Sequence, residues 1–234
     1  MRLDKYLSQA LNLSRKQAHI AIRGGRVTVA GKAAKKLATA VGDASEVCLD
    51  GNPVAMPSAR YLMLNKPAGY VSATTDGEHP TVLDLIPPEL QRDLHPAGRL
   101  DIDTTGLVLL SSDGQWTHRI TSPRHRCAKV YLAELAEPLV ENAEQQFAEG
   151  ILLRGEQQPT RSATLERLGP CLARVTLSEG RYHQVKRMFA ALGNKVVALH
   201  REQIGELALD PTLAEGEYRH LRSDEIDSFR SGHE

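Results

Sequence analysis

The sequence predicts an α+β fold, with a small N-terminal α/β module followed by a larger domain built on a mostly antiparallel or mixed β-sheet around a central cleft. Three observations carry that expectation. Beyond residue 58, segments that alternate with a period of two outnumber helical stripes, the pattern of a sheet with few crossover helices. A Gly-, Pro- and Ser-rich stretch, GNPVAMPSAR, separates two regions of different character and divides the chain into residues 1–57 and 58–234. Charge divides there too. The chain as a whole has 29 basic and 29 acidic residues, yet residues 1–57 hold nine Lys and Arg against four acids. A basic module on a mildly acidic body suits a chain that grips a polyanion with one part and acts on it with the other, although a solvated surface of uneven charge has the same counts.

Composition narrows the class. At 234 residues, 41% apolar and 25% charged, the chain is an ordinary globular protein rather than a disordered or fibrous one. No apolar run approaches the roughly 20 residues that cross a bilayer. The start, MRLDKYLSQALNLSRK, lacks the apolar centre of a signal peptide. Cys48, Cys127 and Cys171 are widely spaced and odd in number, so the expectation is free thiols in a reducing cytoplasm.

The elements follow in order. Leu3, Leu7, Ala10 and Leu11 repeat at helical spacing. Ser14 and Gln17 form a capping box that opens SRKQAHIAIR, and Gly24-Gly25 stops that helix. RVTV alternates as a strand, AGK turns, and EVCL reads as the second strand of a hairpin. YLMLNKP is a strand that runs into a Pro-stopped turn, and HPTVLDLIPPELQRDLHPAGRL is a set of short helical pieces broken by prolines. GLVLLSSDG is a buried strand with a turn, and KVYLAEL is another strand. PLVENAEQQFAEG carries helical spacing at Val140, Ala143 and Phe147; ATLERL and ARVTLSEG alternate as strands. Val185, Met188, Phe189 and Leu192 form the stripe of an amphipathic helix closed by Gly193.

The informative stretch is GRLDIDTTGL, where Asp101 and Asp103 sit just before the apolar run Leu107 to Leu110. Asp-x-Asp-x-Thr-Gly matches the opening of a calcium loop, but position twelve, which must supply a bidentate carboxylate, is Ser112, so calcium is excluded. The histidines and cysteines lack zinc-ligand spacing. Asp103, followed by Thr-Thr-Gly, reads as an Asx-turn acceptor for the N–H groups of Thr104 to Gly106. In an extended segment Arg99, Asp101 and Asp103 share one face while Leu100 and Ile102 anchor the other. Two acids this close in sequence cannot flank a sugar as a glycosidase pair does.

Read with their neighbours, these residues carry a resemblance. GRLDIDTTGLVLL resembles the active-site motif of the pseudouridine synthases of the RsuA/RluA superfamily, and KVYLAEL and EGRYHQVKRM fall where that superfamily has its second and third motifs. Upstream, RLDKYL, LSRKQA and IRGGRVTVAGK resemble an S4-type RNA-binding module. The resemblance implies isomerisation of a uridine to pseudouridine in small-subunit ribosomal RNA, of the position-516 type. Two alternatives remain: a large-subunit enzyme of the same family, and a non-catalytic RNA-binding assembly factor.

The resemblance assigns Asp101 as the catalytic carboxylate, Tyr131 as the aromatic that holds the flipped base, and Lys186 as the cation beside Asp101, with Arg187 as the rival partner. Without the resemblance Tyr131 would read as a packed strand residue, and Lys186 as part of a solvated helix face. Arg99, His183, Gln184 and Arg187 are expected to contact RNA near the cleft. Arg2, Lys5, Arg15, Lys16, Arg23 and Arg26 are expected to do so on the N-terminal module, and Arg119, Arg124, His125 and Arg126 are further phosphate candidates. Trp116 reads as core. An isomerisation is redox-neutral, so no cofactor and no metal are expected. The expected partner is ribosomal RNA within a small-subunit assembly particle, with no membrane, and the expected state is a monomer.

Overall fold

Leu3 and Leu7 are fully buried one turn apart and fix the inner face of the first helix, α1 (Leu3–Leu11). The computed structural model describes residues 1–42 and 44–230, so Asp43, counted above among the N-terminal acids, lies outside the described residues. Helix α2 (Arg15–Arg23) opens on the expected capping box: the Ser14 hydroxyl accepts from the Gln17 N–H at 3.2 Å and the Gln17 amide oxygen accepts from the Ser14 N–H at 2.8 Å. Strands β1 (Val27–Val29), β2 (Lys32–Ala33), β3 (Val47–Leu49) and β4 (Asn52–Pro53) follow, in the sheet order β2-β1-β3-β4.

Two expectations change here. The AGK turn joins β1 to β2, not to the EVCL strand, which is β3 and pairs with the other edge of β1. The stretch read as linker begins with a strand, because Asp50 and Gly51 both take positive φ, 50° and 81°, and make the tight hairpin between β3 and β4. Asp-Gly is the dipeptide that favours such a turn. Chain division into compact units falls at Ser58/Ala59.

The second unit holds β5 (Tyr61–Lys66), a 3₁₀ turn at Val82–Leu85, α3 (Pro88–Gln91), β6 (His95–Pro96), β7 (Thr105–Ser111), α4 (Gly114–Thr121), β8 (Lys129–Leu135) and α5 (Ala143–Glu149). It continues with β9 (Thr164–Gly169), β10 (Leu172–Leu177), α6 (Gln184–Ala191), β11 (Val196–Ile204), β12 (Leu207–Ala208), β13 (Tyr218–His220) and α7 (Ser223–Asp227). One mixed sheet runs β13-β5-β7-β11-β8-β10-β9, with β12 on β11 and β6 on β7. Its only parallel pairing among the described residues is β7 with β11.

Strands β5 and β7 are buried on both faces, so their sequences read as continuous apolar runs. Tyr61, Met63, Leu107 and Leu109 pack with Trp116 and Phe229 on one face, while Leu62, Leu64, Val108 and Leu110 pack with Val82 and Leu94 on the other. Trp116 is core, as expected, with its ring 5.1 Å from Tyr61 in an edge-to-face pair. Helices α5 and α6 cover the other half of the sheet, where Phe147 meets Phe189. Val140, read as part of the α5 stripe, is exposed and lies before that helix, which begins at Ala143.

Candidate active site

GRLDIDTTGL crosses the joint where β7 meets β11, and the rest of the unit holds it by its backbone. Buried Ser72 clasps Leu100 twice, accepting from its N–H at 3.0 Å and donating to its carbonyl at 3.1 Å. The Lys66 ammonium, fully buried at the end of β5, donates to the carbonyls of Pro67, Ile102 and Thr104 at 2.9, 3.3 and 2.7 Å. Arg201, from β11 and equally buried, donates to the Leu107 carbonyl at 2.8 Å and the Arg99 carbonyl at 3.4 Å. Buried cations held by carbonyls rather than by carboxylates leave their charge to act on what lies nearby.

What lies nearby is the acid pair. Residues 101–104 make a turn closed by the Thr104 N–H on the Asp101 carbonyl at 3.1 Å, not a continued strand. The turn points two carboxylates at one ammonium: Lys186 Nζ lies 3.0 Å from Asp101 Oδ2 and 2.6 Å from Asp103 Oδ1. This corrects the Asx-turn role expected for Asp103. Its side chain meets Lys186, and the backbone closes the turn in its place.

The electrostatics follow from that geometry. Burial pulls the Lys186 ammonium down, but the bonds to Asp103 and Asp101 outweigh it and raise its pKa overall. Burial likewise pushes Asp103 up, and Lys186 outweighs it, so its carboxyl sits below the ordinary range. Lys66 is the opposite case. Burial lowers it to about 8, with only partial restoration from Asp103 and Asp101.

Lys66 therefore yields a measurable signature. Its folded pKa of about 8 lies below the ordinary 10.5, so between those values the unfolded chain binds the extra proton. The contribution of this lysine to stability is present in full above 10.5 and is lost as pH falls toward 8. Unfolding free energies of wild type and Lys66→Met, followed from pH 7 to 10.5, are expected to diverge in favour of wild type by roughly 1.4 kcal/mol per pH unit above pH 8. Parallel curves would show that the buried ammonium is not titrating.

Helix α6 brings the third motif to the acids. His183 caps its N-terminus with φ of 48° and places Nε2 3.4 Å from Asp101 Oδ1. Tyr131, on β8, stands opposite Arg201 on β11, whose guanidinium lies 6.0 Å from the ring centre. The ring is partly buried, and its hydroxyl makes no hydrogen bond among the described residues, nor any to Asp101. Arg99 is exposed and its side chain is free of ion pairs among the described residues.

The other expected contact residues have partners of their own or none. Arg187 is no rival for Asp101: it pairs with Glu156 at 2.7 Å and donates to the carbonyls of Tyr182 and Arg154. Gln184 is 4% exposed; its amide accepts from the Arg181 N–H and donates to Glu179, so its polar atoms are engaged within the loop. On the N-terminal unit Arg2 and Arg26 are exposed but bound to Asp4 and Asp50. Lys5, Arg15, Lys16 and Arg23 are exposed without such partners among the described residues.

Lys66, Arg201 and Tyr182 are residues of this site that sequence reasoning passed over. A lysine ending the apolar run YLML was the available signal for the first. Arg201 was hidden because VVALHREQI was not read as a strand.

Known proteins are consistent with this geometry. The family model of the RNA pseudouridylate synthases matches residues 60–191, and that of the S4 domain matches residues 1–48. The chain is 55% identical over 229 residues to the ribosomal small subunit pseudouridine synthase A of Salmonella typhimurium strain LT2, covering 97% of this chain and 99% of that one. It is 54% identical over 229 residues to the protein of the same name from Escherichia coli K12, with the same coverage. A solved structure described as a pseudouridylate synthase superposes with a TM-score of 0.73 at 50% identity, covering 98% of this chain and 99% of the other.

Proposed function

The chain belongs to the RNA pseudouridylate synthase family, and from that premise we propose that it isomerises a uridine of small-subunit ribosomal RNA to pseudouridine, at position 516 of the 16S molecule. The reaction is balanced within one nucleotide. The N1–C1′ bond breaks, the uracil turns, a C5–C1′ bond forms, and the proton lost from C5 is matched by one gained at N1. Asp101 supplies the ionised carboxylate beside the ribose, and Lys186 holds it against its neighbour Asp103. Tyr131 presents its ring to the flipped uracil and its free hydroxyl to the proton at C5. Arg99 and His183 contact the RNA at the rim. The observation that carries this reading is the Asp101–Lys186 pair, joining the first and third motifs across 85 residues of chain.

Residues 1–57 bind the RNA and residues 58–234 carry out the chemistry. The substrate is the RNA within an assembly particle in the cytoplasm, and the enzyme acts as a monomer. No helix among the described residues is long and apolar enough to cross a membrane.

Mapping pseudouridine in the ribosomal RNA of a strain that lacks this protein tests the reading. The small-subunit site should be unmodified and should be restored by the wild-type gene. A site that stays modified, or a large-subunit site lost in its place, overturns it. RNA binding should also weaken steeply with salt. Replacing Lys5, Arg15, Lys16 and Arg23 together by Ala should flatten the log–log slope by about 0.7–0.9 for each phosphate that is no longer neutralised. An unchanged slope removes these four side chains from the interface.

A further inference from the structure

Tyr182 is 77% exposed, the most exposed of the large hydrophobic side chains among the described residues. One face of its ring is occupied: it stacks on the His183 imidazole with centres 3.8 Å apart and planes 20° from parallel. His183 in turn reaches Asp101 at 3.4 Å. The stack therefore begins at the proposed catalytic carboxylate and ends in an aromatic face open to solvent. An apolar ring left in water beside a reaction centre needs a reason, since burial of such a ring is favourable and nothing in this unit covers it.

The ring is not on a slack loop. On one side Arg181 is anchored by Glu156 and by the carbonyls of Gln158 and Pro159, and its N–H is held by Gln184. On the other, Arg187 donates to the carbonyl of Tyr182 itself and pairs with the same Glu156. Those two guanidiniums hold the Glu156 carboxyl below its ordinary pKa. Residues 181–187 are thus tied on both flanks, and the left-handed backbone of His183 sets the angle at which the stack leaves the helix. A platform fixed before binding loses little entropy on contact.

We propose that Tyr182 is a stacking platform for an unpaired base of the substrate RNA, the base of the nucleotide adjacent to the target uridine; this rests on the proposed function above. When the target leaves its stack, its neighbour loses a stacking partner. An aromatic face supplies one irrespective of base identity, because every base has a π-face. The role is distinct from that of Tyr131, which receives the target base itself. Tyr182 thereby sets where the strand lies relative to Asp101, and its loss appears in binding rather than in chemistry.

The test is steady-state and single-turnover pseudouridylation by the full-length enzyme of small-subunit assembly particles reconstituted on RNA that carries the target uridine. It is run on intact RNA and on versions with an abasic residue on the 5′ or 3′ side of the target. Tyr182→Ala should raise KM roughly 5- to 150-fold, the range that one stacked base represents, with the rate at saturation changed less than about threefold. Tyr182→Phe and Tyr182→Trp should keep the wild-type KM. An abasic residue on one side should raise the wild-type KM by the same factor and leave Tyr182→Ala unaffected. Equal KM values for Tyr182→Ala and wild type on intact RNA overturn the proposal and leave the function standing, as do abasic and Ala penalties that simply multiply. A wild-type enzyme that forms no pseudouridine on any of these RNAs overturns the function itself, and the proposal with it.

Discussion

Asp101→Asn is expected to reduce pseudouridine formation by roughly 10³-fold or more, the scale on which loss of a reacting acid–base group acts, while Asp103→Asn stays within about tenfold of wild type. The two substitutions are chemically identical and two residues apart, so their contrast isolates position from charge. Asn keeps the shape of Asp, and the turn that carries both is held by its backbone through Ser72, Lys66 and Arg201. Neither change should therefore disturb the fold. In Asp101→Asn the ammonium of Lys186 still has Asp103 at 2.6 Å and stays in place, so a fall in activity reports the missing carboxylate. In Asp103→Asn, Asp101 becomes the sole carboxylate on Lys186. Single-turnover rates at saturating RNA are the measurement, and equal losses in the two variants would remove the distinction drawn here between a reacting and a supporting acid.

The same pair has a pH signature. Lys186 holds the Asp103 carboxyl below its ordinary 3.8 despite burial, so its contribution to stability is present above that value and is lost as pH falls through the lower, folded one. Wild type should accordingly lose its advantage over Asp103→Asn as pH falls below about 4, as read by denaturant melts at each pH. Asp103 is largely exposed, so solvent and salt screening keep this difference small.

What could be read in advance divides along a physical line. The capping box at Ser14, the buried run of β7, the stripe of α6 and the assignment of Trp116 to the core depend on local spacing, and local spacing is what a sequence displays. The pairing of RVTV with EVCL is as expected, though not through the AGK turn, whereas the parallel joint of β7 with β11 depends on contacts distant in sequence and was not anticipated. The acid pair shows the boundary within a few residues. Asp101 stands out because its motif is specific, and its expected contact with Lys186 is present at 3.0 Å. Asp103 was misassigned because a side-chain turn and a backbone turn leave the same pattern of small polar residues. Arg187 and Gln184 show a related limit of local reading, since a charged or polar residue in a functional motif looks the same whether it faces a ligand or, as these two do, bonds within the loop.

Gly106→Ala is expected to destabilise the second unit by about 3–5 kcal/mol, the range of the largest single-site effects, and to take activity with it. Gly106 sits at φ of 101°, in the left-handed region, directly opposite Arg201 in the one parallel pairing of the sheet. A Cβ there would lie 2.8 Å from the Arg201 N and closer still to its carbonyl oxygen, atoms that cannot retreat without parting β7 from β11. That joint aligns the Asp101 turn with Arg201, and Arg201 with Tyr131, so its opening should reach both of the groups proposed to react. Gly155→Ala separates the two causes. Gly155 has φ of 83° but nothing within 4 Å of a built Cβ, so it should lose only the backbone preference, about 1 kcal/mol. Urea melts of both variants decide the matter. If Gly106→Ala loses no more than Gly155→Ala, the close approach of β7 to β11 is not what requires glycine in GRLDIDTTGL.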